Sequence, residues 1–577
     1  MKQTKLNIRS VKAVPPAAPP PAAVDVPPAN PVNPVVGTPL AVATPPATPP
    51  ANPVMPPPVP ASPPPAGVAS PLLTPVASPV PPPVPPPDAV PPQAVAPPIG
   101  PAPIVVVHEQ EWFINDLLIK TPQNQRPNYY RSWGMRDTIG FIHRPGNDRG
   151  RQISRLEYFM MSFPPAQLDT MLRLTNLALI AGSKKVTTKR ELLKYFGVMI
   201  LCTRYEFTSR ASLWSTTAPS KYVPATGLGK TGMSRTRFDH LWRYMVWSEQ
   251  SPVRPEGMSH EKHRWMLVDG FVERYNSNRE THFIPSDLIC VDESISRWYG
   301  QGGHWINHGL PMYVATDRKP KNGCEIQNAC CGRSSIMMRL KLVKTAEEEA
   351  THRDVDLADS MLHGTKILLF LVGPWLNSDR TTVGDSYFAS VGAACTLDER
   401  GMGFIGVVKT ATRKFPMAYL SNLEMQERGD RHGVVTRGAN GVTTLMAFVW
   451  MDRDRRYFIA SASSLQAGLP HVRTRWRQVD SRLNAEAERV EVTVQQPKAC
   501  ETYYSACGKI DGHNRHRQAT LMLENKLPTQ EWSRRVNMTL FGMLVVDAWL
   551  VFSACTEAAE TQKEFYTLLA EELIDNT

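Results

Sequence analysis

No Cys-x-x-Cys pair occurs among the nine cysteines, at positions 202, 290, 324, 330, 331, 395, 500, 507 and 555. That removes the ligand spacing of zinc ribbons and ring-type sites, and the adjacent pair Cys330 and Cys331 is poorly placed to chelate an ion alone. The basic start, MKQTKLNIRSVKAV, has no apolar run behind it. With an odd cysteine count, this predicts a reduced, intracellular protein rather than a secreted, disulfide-stapled one. One late segment, Val536 to Ala554, is apolar enough to consider as membrane-spanning. Asn537 and Asp547 interrupt it and Arg534 and Arg535 precede it. It reads as a buried core helix, so no membrane partner is expected.

Aromatic residues are missing from residues 1–103, and acids are nearly so, with Asp25 and Asp88 alone. The same stretch holds 37 of the 54 prolines in a chain of 577 residues. Proline fixes φ and removes a backbone donor, so residues 1–107 are expected to be a disordered Pro-rich arm, extended and polyproline-II-like. Such an arm suits protein modules with aromatic grooves. The rest is of ordinary globular composition. Of the net charge of +11, +9 lies beyond the arm, which permits a polyanionic partner.

From Glu109 to Ser286 the pattern reads as helical. PPAQLDTMLRLTNLALIAG repeats apolar residues at Leu168, Met171, Leu172, Leu174, Leu177 and Leu179 and stops at Gly182. TTKRELLKYFGVMILCTR opens on a threonine cap and places Leu192, Leu193, Phe196, Met199 and Ile200 on one side. SRTRFDHLWRYMVWS has Ser234 as its cap. Basic faces run through Lys184, Lys185, Lys189, Arg190, Arg235, Arg237 and Arg243, for which solvation is the plain explanation. From Asp287 the pattern changes to short strand-like runs, DLICVDESI, PMYVATD, GCEIQNACC and IMMRLKLVK, then helix, strand, helix, strand through FIGVVKT. That order predicts a mixed sheet with crossover helices. Residues 416–494 read as a separate sheet-like region, with two strands around MDRDRR, before helices close the chain.

Three acids share one context. Asp292 ends an apolar run, Asp385 follows TTVG, and Asp511 opens a helix, at separations of 93 and 126 residues. Phosphodiester chemistry needs charge neutralised on the phosphate, a deprotonated attacking oxygen and a stabilised leaving oxygen. Two Mg²⁺ ions supply all three, and hard cations take carboxylate oxygens. Three carboxylates converging without cations would repel and raise one another's pKa. An aspartate at a strand end or helix start is commonly structural, and spacing leaves Asp317, Asp354 and Asp356 open as alternatives.

Text spread over residues 109–560 resembles the transposase domain of piggyBac-type DNA transposons and their domesticated relatives. It includes YFMMSFPPAQLDTMLRLTN, RELLKYFGVMILCTRYEFTSRASLW, VDESISRW, RKPKNGCEIQNACC, VGDSYFAS, YYSACGKIDGHNRHRQ and EWSRRVNMTLFGMLVVDAWLVF. The resemblance implies an α/β, ribonuclease-H-like catalytic domain with a mixed sheet, an inserted β-rich domain and a helical dimerisation and DNA-binding domain. The implied division is 108–286 helical, 287–415 catalytic, 416–494 insertion, 495–517 the last catalytic part with the third aspartate, and 518–577 the completing C-terminal helices. By motif, Asp292, Asp385 and Asp511 would be the catalytic, metal-binding DDD triad, holding two Mg²⁺ or Mn²⁺ ions. The partners implied are double-stranded DNA, as transposon ends and a TTAA target, and a second copy of the chain in a homodimer, acting in the nucleus. The chemistry implied is a nick by activated water, hairpin formation by the freed 3′-hydroxyl, and joining of the opened end to TTAA. The counterpart reading is a domesticated, catalytically inactive DNA-binding protein. Three departures from the pattern stand out: Asn514 occupies a position where members often carry a further acid, no Cys-rich zinc-binding cluster follows the last helices, and the Pro-rich arm stands where an acidic or polar N-terminal region is expected.

Overall fold

The structure is a computed structural model, and it describes residues 103–114, 133–147, 153–207, 209–298, 309–315, 322–346, 361–409, 412–437, 443–477 and 488–576. These all belong to one compact unit, 97–577. Residues 1–102 of the Pro-rich arm and the alternative acids Asp317, Asp354 and Asp356 lie outside the described residues, while the arm's last residues, expected to be disordered, include a strand at Val105–Val107.

The first elements differ from the helical reading. Strands β1 (Val105–Val107) and β2 (Gln110–Ile114) form a hairpin. Its two turn residues, His108 and Glu109, have φ of 47° and 68°, the left-handed pair that a two-residue hairpin turn requires. A β-branched run of three valines favours the strand. Strands β3 (Gly134–Arg136) and β4 (Ile142–His143) follow.

The helical part then begins. α1 (Arg155–Ser162) starts on a reciprocal capping box between Ser154 and Glu157. α2 (Pro165–Ala181) stops at Gly182 as expected, with Leu168, Met171 and Leu179 inside and Leu177 outside. Thr188, Ser234 and Ser259 cap α3 (Lys189–Cys202), α4 (Arg235–Tyr244) and α5 (His260–His282) through side-chain oxygens. Arg237 is spent inside this fold. It forks onto Glu191 at 2.8 and 2.6 Å and donates to the carbonyls of Lys185 and Val186, so it holds the loop between α2 and α3. β5 (Phe283–Ile284) joins β3 and β4 in a small sheet.

The central sheet is built from β6 (Leu288–Arg297), β7 (Val314–Ala315), β8 (Asn322–Cys331) and β9 (Met337–Leu342). Helix α6 (His363–Val372) leads to β10 (Thr381–Gly384), and α7 (Val391–Glu399) leads to β11 (Gly403–Val408). Strands β6, β8 and β9 run antiparallel in sequence, while β10 and β11 add parallel on the far side of β6. The order β9-β8-β6-β10-β11, with helical crossovers before each parallel strand, is the ribonuclease-H-like mixed sheet. A crossover is obligatory there, because a tight turn cannot return the chain parallel.

After α8 (Met417–Asn422) come β12 (Arg431–Arg437), β13 (Thr443–Met451) and β14 (Arg455–Ala460). These do not form the separate sheet read from the sequence. β14 pairs antiparallel with β11, Ile405 opposite Ala460, so the central sheet continues through β13 and β12 to β2. The edge of β11 offers unpaired backbone groups, and β14 satisfies them. Only β15 (His471–Arg477) and β16 (Glu488–Val494) stand as a separate two-stranded sheet.

The chain ends in helices α9 (Lys498–Ala506) and α10 (Lys509–Arg515), a π-helical turn at His516–Leu521, α11 (Leu523–Lys526), α12 (Trp532–Cys555) and α13 (Gln562–Asp575). α12 is long and apolar enough to cross a membrane, yet Val536 through Ala548 are all buried within the protein. Phe541 lies 4.9 Å from the ring of Phe196, within a cluster that also holds Phe159, Phe163 and Trp247. Each such aromatic pair adds to the area term. Beside it, α3 and α13 touch at Gly197, where a Cβ would fall 2.6 Å from the Ala570 carbonyl oxygen. Gly197→Val is expected to lower unfolding stability by about 1–3 kcal/mol through that overlap, read as a lower urea midpoint at unchanged slope. An unchanged midpoint would contradict the α3–α13 contact.

Candidate active site

β6 is longer than its apolar run. Leu288 to Val291 pair on one side with β10, and from Ile289 on the other with β8, whose ladder carries on to Arg297. Asp292 therefore sits in mid-strand, at the point where the parallel partner stops. Gly384, the last residue of β10, is in register with Val291. Asp385 and Asp292 are thus the next residue on each of two neighbouring parallel strands, about one strand spacing of ~5 Å apart in backbone. Crevices beyond the carboxyl ends of parallel strands are where ligands bind in such sheets.

Both side chains leave the same face. Leu288, Cys290 and Asp292 alternate onto it along β6, and Val383 and Asp385 do so along β10. Each carboxylate is anchored through one oxygen. Asp292 Oδ1 accepts from the Glu293 amide at 2.9 Å. Asp385 Oδ1 accepts from the Tyr387 amide at 2.9 Å, and its carbonyl takes the Phe388 and Ala389 amides, a turn that starts the path to α7. Both residues are half-buried. Glu293 alternates to the other face.

Helices α9 and α10 cover this face. Cys507, at their junction, feels all sides of the arrangement: its thiol is pushed up to about 12, first by burial, then by Cys290, Asp292 and Asp511. Burial, Cys507 and Asp385 likewise raise the Tyr503 hydroxyl. All nine cysteines are free thiols. With its thiol held protonated, Cys507 is no soft thiolate ligand at neutral pH.

Asp511 lies in the first turn of α10 and is exposed, while Ile510 and His513 of the same helix are buried. His513 is pinned from beneath. Its Nε2 donates to Asp547 Oδ1 of α12 at 3.2 Å, and burial lowers its pKa, so the ring is neutral. Asn514, one turn beyond Asp511, carries an Oδ1 with no hydrogen-bond partner among the described residues.

The three sequence-selected acids are therefore placed unequally. Asp292 and Asp385 stand side by side on the sheet, and Asp511 approaches from the covering helix. Among the described residues, no three His, Cys, Asp or Glu side chains stand close enough to hold a metal ion together. The donor chemistry nonetheless fits a hard cation. Opposite Asp292 in the ladder stands a buried amide, Asn328, whose Oδ1 has no hydrogen-bond partner among the described residues; oxygen donors of this kind suit Mg²⁺ or Mn²⁺. Sequence reasoning passed over Asn328, although a buried Gln-Asn pair inside the apolar text IQNACC was a visible irregularity. Asp547 was seen only as an interruption of an apolar run.

A family model described as Transposase IS4 matches residues 154–549. Among solved structures, the fold is similar to that of piggyBac transposase in its cryo-EM synaptic complex with hairpin DNA. The TM-score is 0.55 at 15% identity, over 74% of this chain and 82% of that chain. A comparison with curated proteins gives no match.

Proposed function

Because the chain belongs to the Transposase IS4 family, we propose that it is a piggyBac-like DDD transposase that cleaves and transfers DNA strands at transposon ends and integrates at TTAA. The observation that supports this best is the register of Gly384 with Val291, which sets Asp385 beside Asp292 at the ends of parallel strands. Asp292, Asp385 and Asp511 would hold the divalent cations, two Mg²⁺ or Mn²⁺ ions. Bound there, such ions neutralise phosphate charge, activate the attacking oxygen and stabilise the leaving one. The chain's own contribution is positional. The sheet holds Asp292 and Asp385 at fixed spacing, and the His513–Asp547 contact fixes the helix that presents Asp511. The phosphate backbone of double-stranded DNA would be gathered by the basic surface. Action on chromosomal DNA places the protein in the nucleus, as a homodimer whose Pro-rich arm recruits protein modules.

The exposed position of Asp511, with an amide rather than an acid at Asn514, favours one second reading: a domesticated, catalytically inactive DNA-binding protein. One experiment separates the two. Purified full-length protein is incubated with TTAA-flanked transposon-type ends in Mg²⁺, Mn²⁺ or EDTA, and nicks and hairpins are resolved on denaturing gels. Cleavage in either metal and none in EDTA is the transposase result. Salt-dependent binding, with log affinity falling by roughly 0.9 per phosphate contact for each unit of log salt, and no cleavage in any metal, overturns it in favour of the second reading.

A further inference from the structure

We infer that Asn328 is an additional oxygen donor of the cation site, its amide oxygen serving beside the Asp292 and Asp385 carboxylates. The inference deepens the proposed function and rests on the cation site assumed there.

Asn328 lies on β8 directly opposite Asp292 of β6. Residues paired across an antiparallel ladder present their side chains on one face, with Cβ atoms about 5 Å apart. Asn328 is therefore the nearest cross-strand neighbour of Asp292 on the face that Asp385 shares. It is completely buried. Its orientation is not ambiguous. The Nδ2 group donates to the Ile326 carbonyl at 3.0 Å and to Ser294 Oγ at 2.6 Å. A carbonyl only accepts, so the nitrogen must face it, and the oxygen is turned the other way. That oxygen, Oδ1, has no hydrogen-bond partner among the described residues.

A buried amide oxygen without a partner is costly, and native proteins leave few of them. The surrounding packing uses only the amide nitrogen. Ile326, Ala329 and Cys330, near it on this strand, are small or apolar and all buried. An asparagine with its donors tied back and its acceptor left bare is what a hard-cation donor needs. The hydrogen bonds fix the rotamer and the exposed lone pairs are presented to the ion. Gln327, the next residue, also has an unpartnered buried oxygen. It alternates onto the opposite face, opposite Glu293, and is no part of this set. A neutral donor has a further merit beside two carboxylates, because it adds a ligand without adding repulsion.

The test is Mn²⁺ binding by the full chain, followed through loss of the free-ion electron paramagnetic resonance signal, with thermal melting in and out of Mn²⁺. Wild type, Asn328→Ala and Asn328→Asp are compared. The expected result is about tenfold weaker Mn²⁺ binding for Asn328→Ala. Asn328→Asp should melt lower than wild type without metal and gain more from Mn²⁺ than wild type gains, because it offers an anionic oxygen in the same shape. Should Asn328→Ala fail to fold, the Asn328→Asp melting shift decides alone. Mn²⁺ binding by Asn328→Ala equal to wild type, or an Asn328→Asp protein that gains no more from Mn²⁺ than wild type, overturns the inference and leaves the cation site standing. Absence of Mn²⁺ binding by wild type overturns the cation site as well.

Discussion

Asp292→Ala is expected to lower metal-dependent DNA cleavage by on the order of 10³-fold or more, with binding to the same DNA intact. Asp385→Ala should do the same. The two carboxylates occupy equivalent places, the first residue past the paired segment of neighbouring parallel strands. Each lies half-buried and uses one oxygen for a local backbone amide. Removing one relieves like-charge repulsion on a shared face, so melting of each variant without metal should match or exceed that of wild type. Loss of activity together with unchanged or raised stability is the signature of a site residue. Because the acids act as a unit, the double variant should be little worse than either single one. Parallel cleavage assays and melting curves on the three proteins check this, and a variant that is equally active, or inactive because it is unfolded, contradicts it.

Asp547→Ala should have the opposite profile and destabilise the whole protein by about 3–5 kcal/mol. Asp547 sits inside α12 with no solvent exposure, and every lone pair has a designated partner. Oδ2 accepts from Arg279 Nη2 and from the Tyr275 hydroxyl, each at 2.8 Å. Oδ1 accepts from the Met337 amide at 3.0 Å and from His513 Nε2. One carboxylate thus ties α12 to α5, β9 and α10. Its loss strands the fully buried guanidinium of Arg279, an uncompensated charge. Burial by itself would raise the Asp547 pKa, but the Arg279 charge and the hydrogen bond from His513 outweigh it, so the carboxyl is held below its ordinary 3.8. A depressed carboxylate contributes stability above its unfolded value and loses it as pH falls through the folded one. The wild-type advantage over Asp547→Ala should therefore be complete at neutral pH and shrink below about pH 3.8. Urea titrations at neutral and acid pH measure both terms, and an advantage of under about 1 kcal/mol at neutral pH would contradict the network.

Most of the central sheet was legible because its strands are apolar runs bounded by turn residues: GCEIQNACC, TTVG and FIGVV each became a strand close to its textual limits, while the strand begun by DLICV runs on to Arg297. Helix starts were legible wherever a hydroxyl cap preceded an apolar repeat, as at Thr188 and Ser234. What failed was pairing. Nothing in residues 431–460 says that β14 will satisfy the edge of β11, so those strands looked like a sheet of their own. The valines at 105–107 are too few for a periodicity and were absorbed into the Pro-rich arm. The candidate site shows the same boundary. Asp292, Asp385 and Asp511 could be picked from their local context, because each stands at a visible change of pattern. Asn328 could not, because its place opposite Asp292 is a matter of register between segments some thirty residues apart. Asp547 could not be given its role either, since its four partners come from three separate elements.

The central claim is that three distant segments share one cation site, and iron-directed backbone cleavage tests it most directly. Fe²⁺ replaces Mg²⁺ in oxygen-donor sites, and with ascorbate and peroxide it cuts the polypeptide next to where it is bound. Full-length protein treated in this way should yield fragments ending near Asp292, near Asp385 and near Asp511, all three suppressed together by excess Mg²⁺ and all three lost in Asp292→Ala. Cuts at one of the three segments alone, or a pattern that Asp292→Ala leaves unchanged, would contradict a shared site.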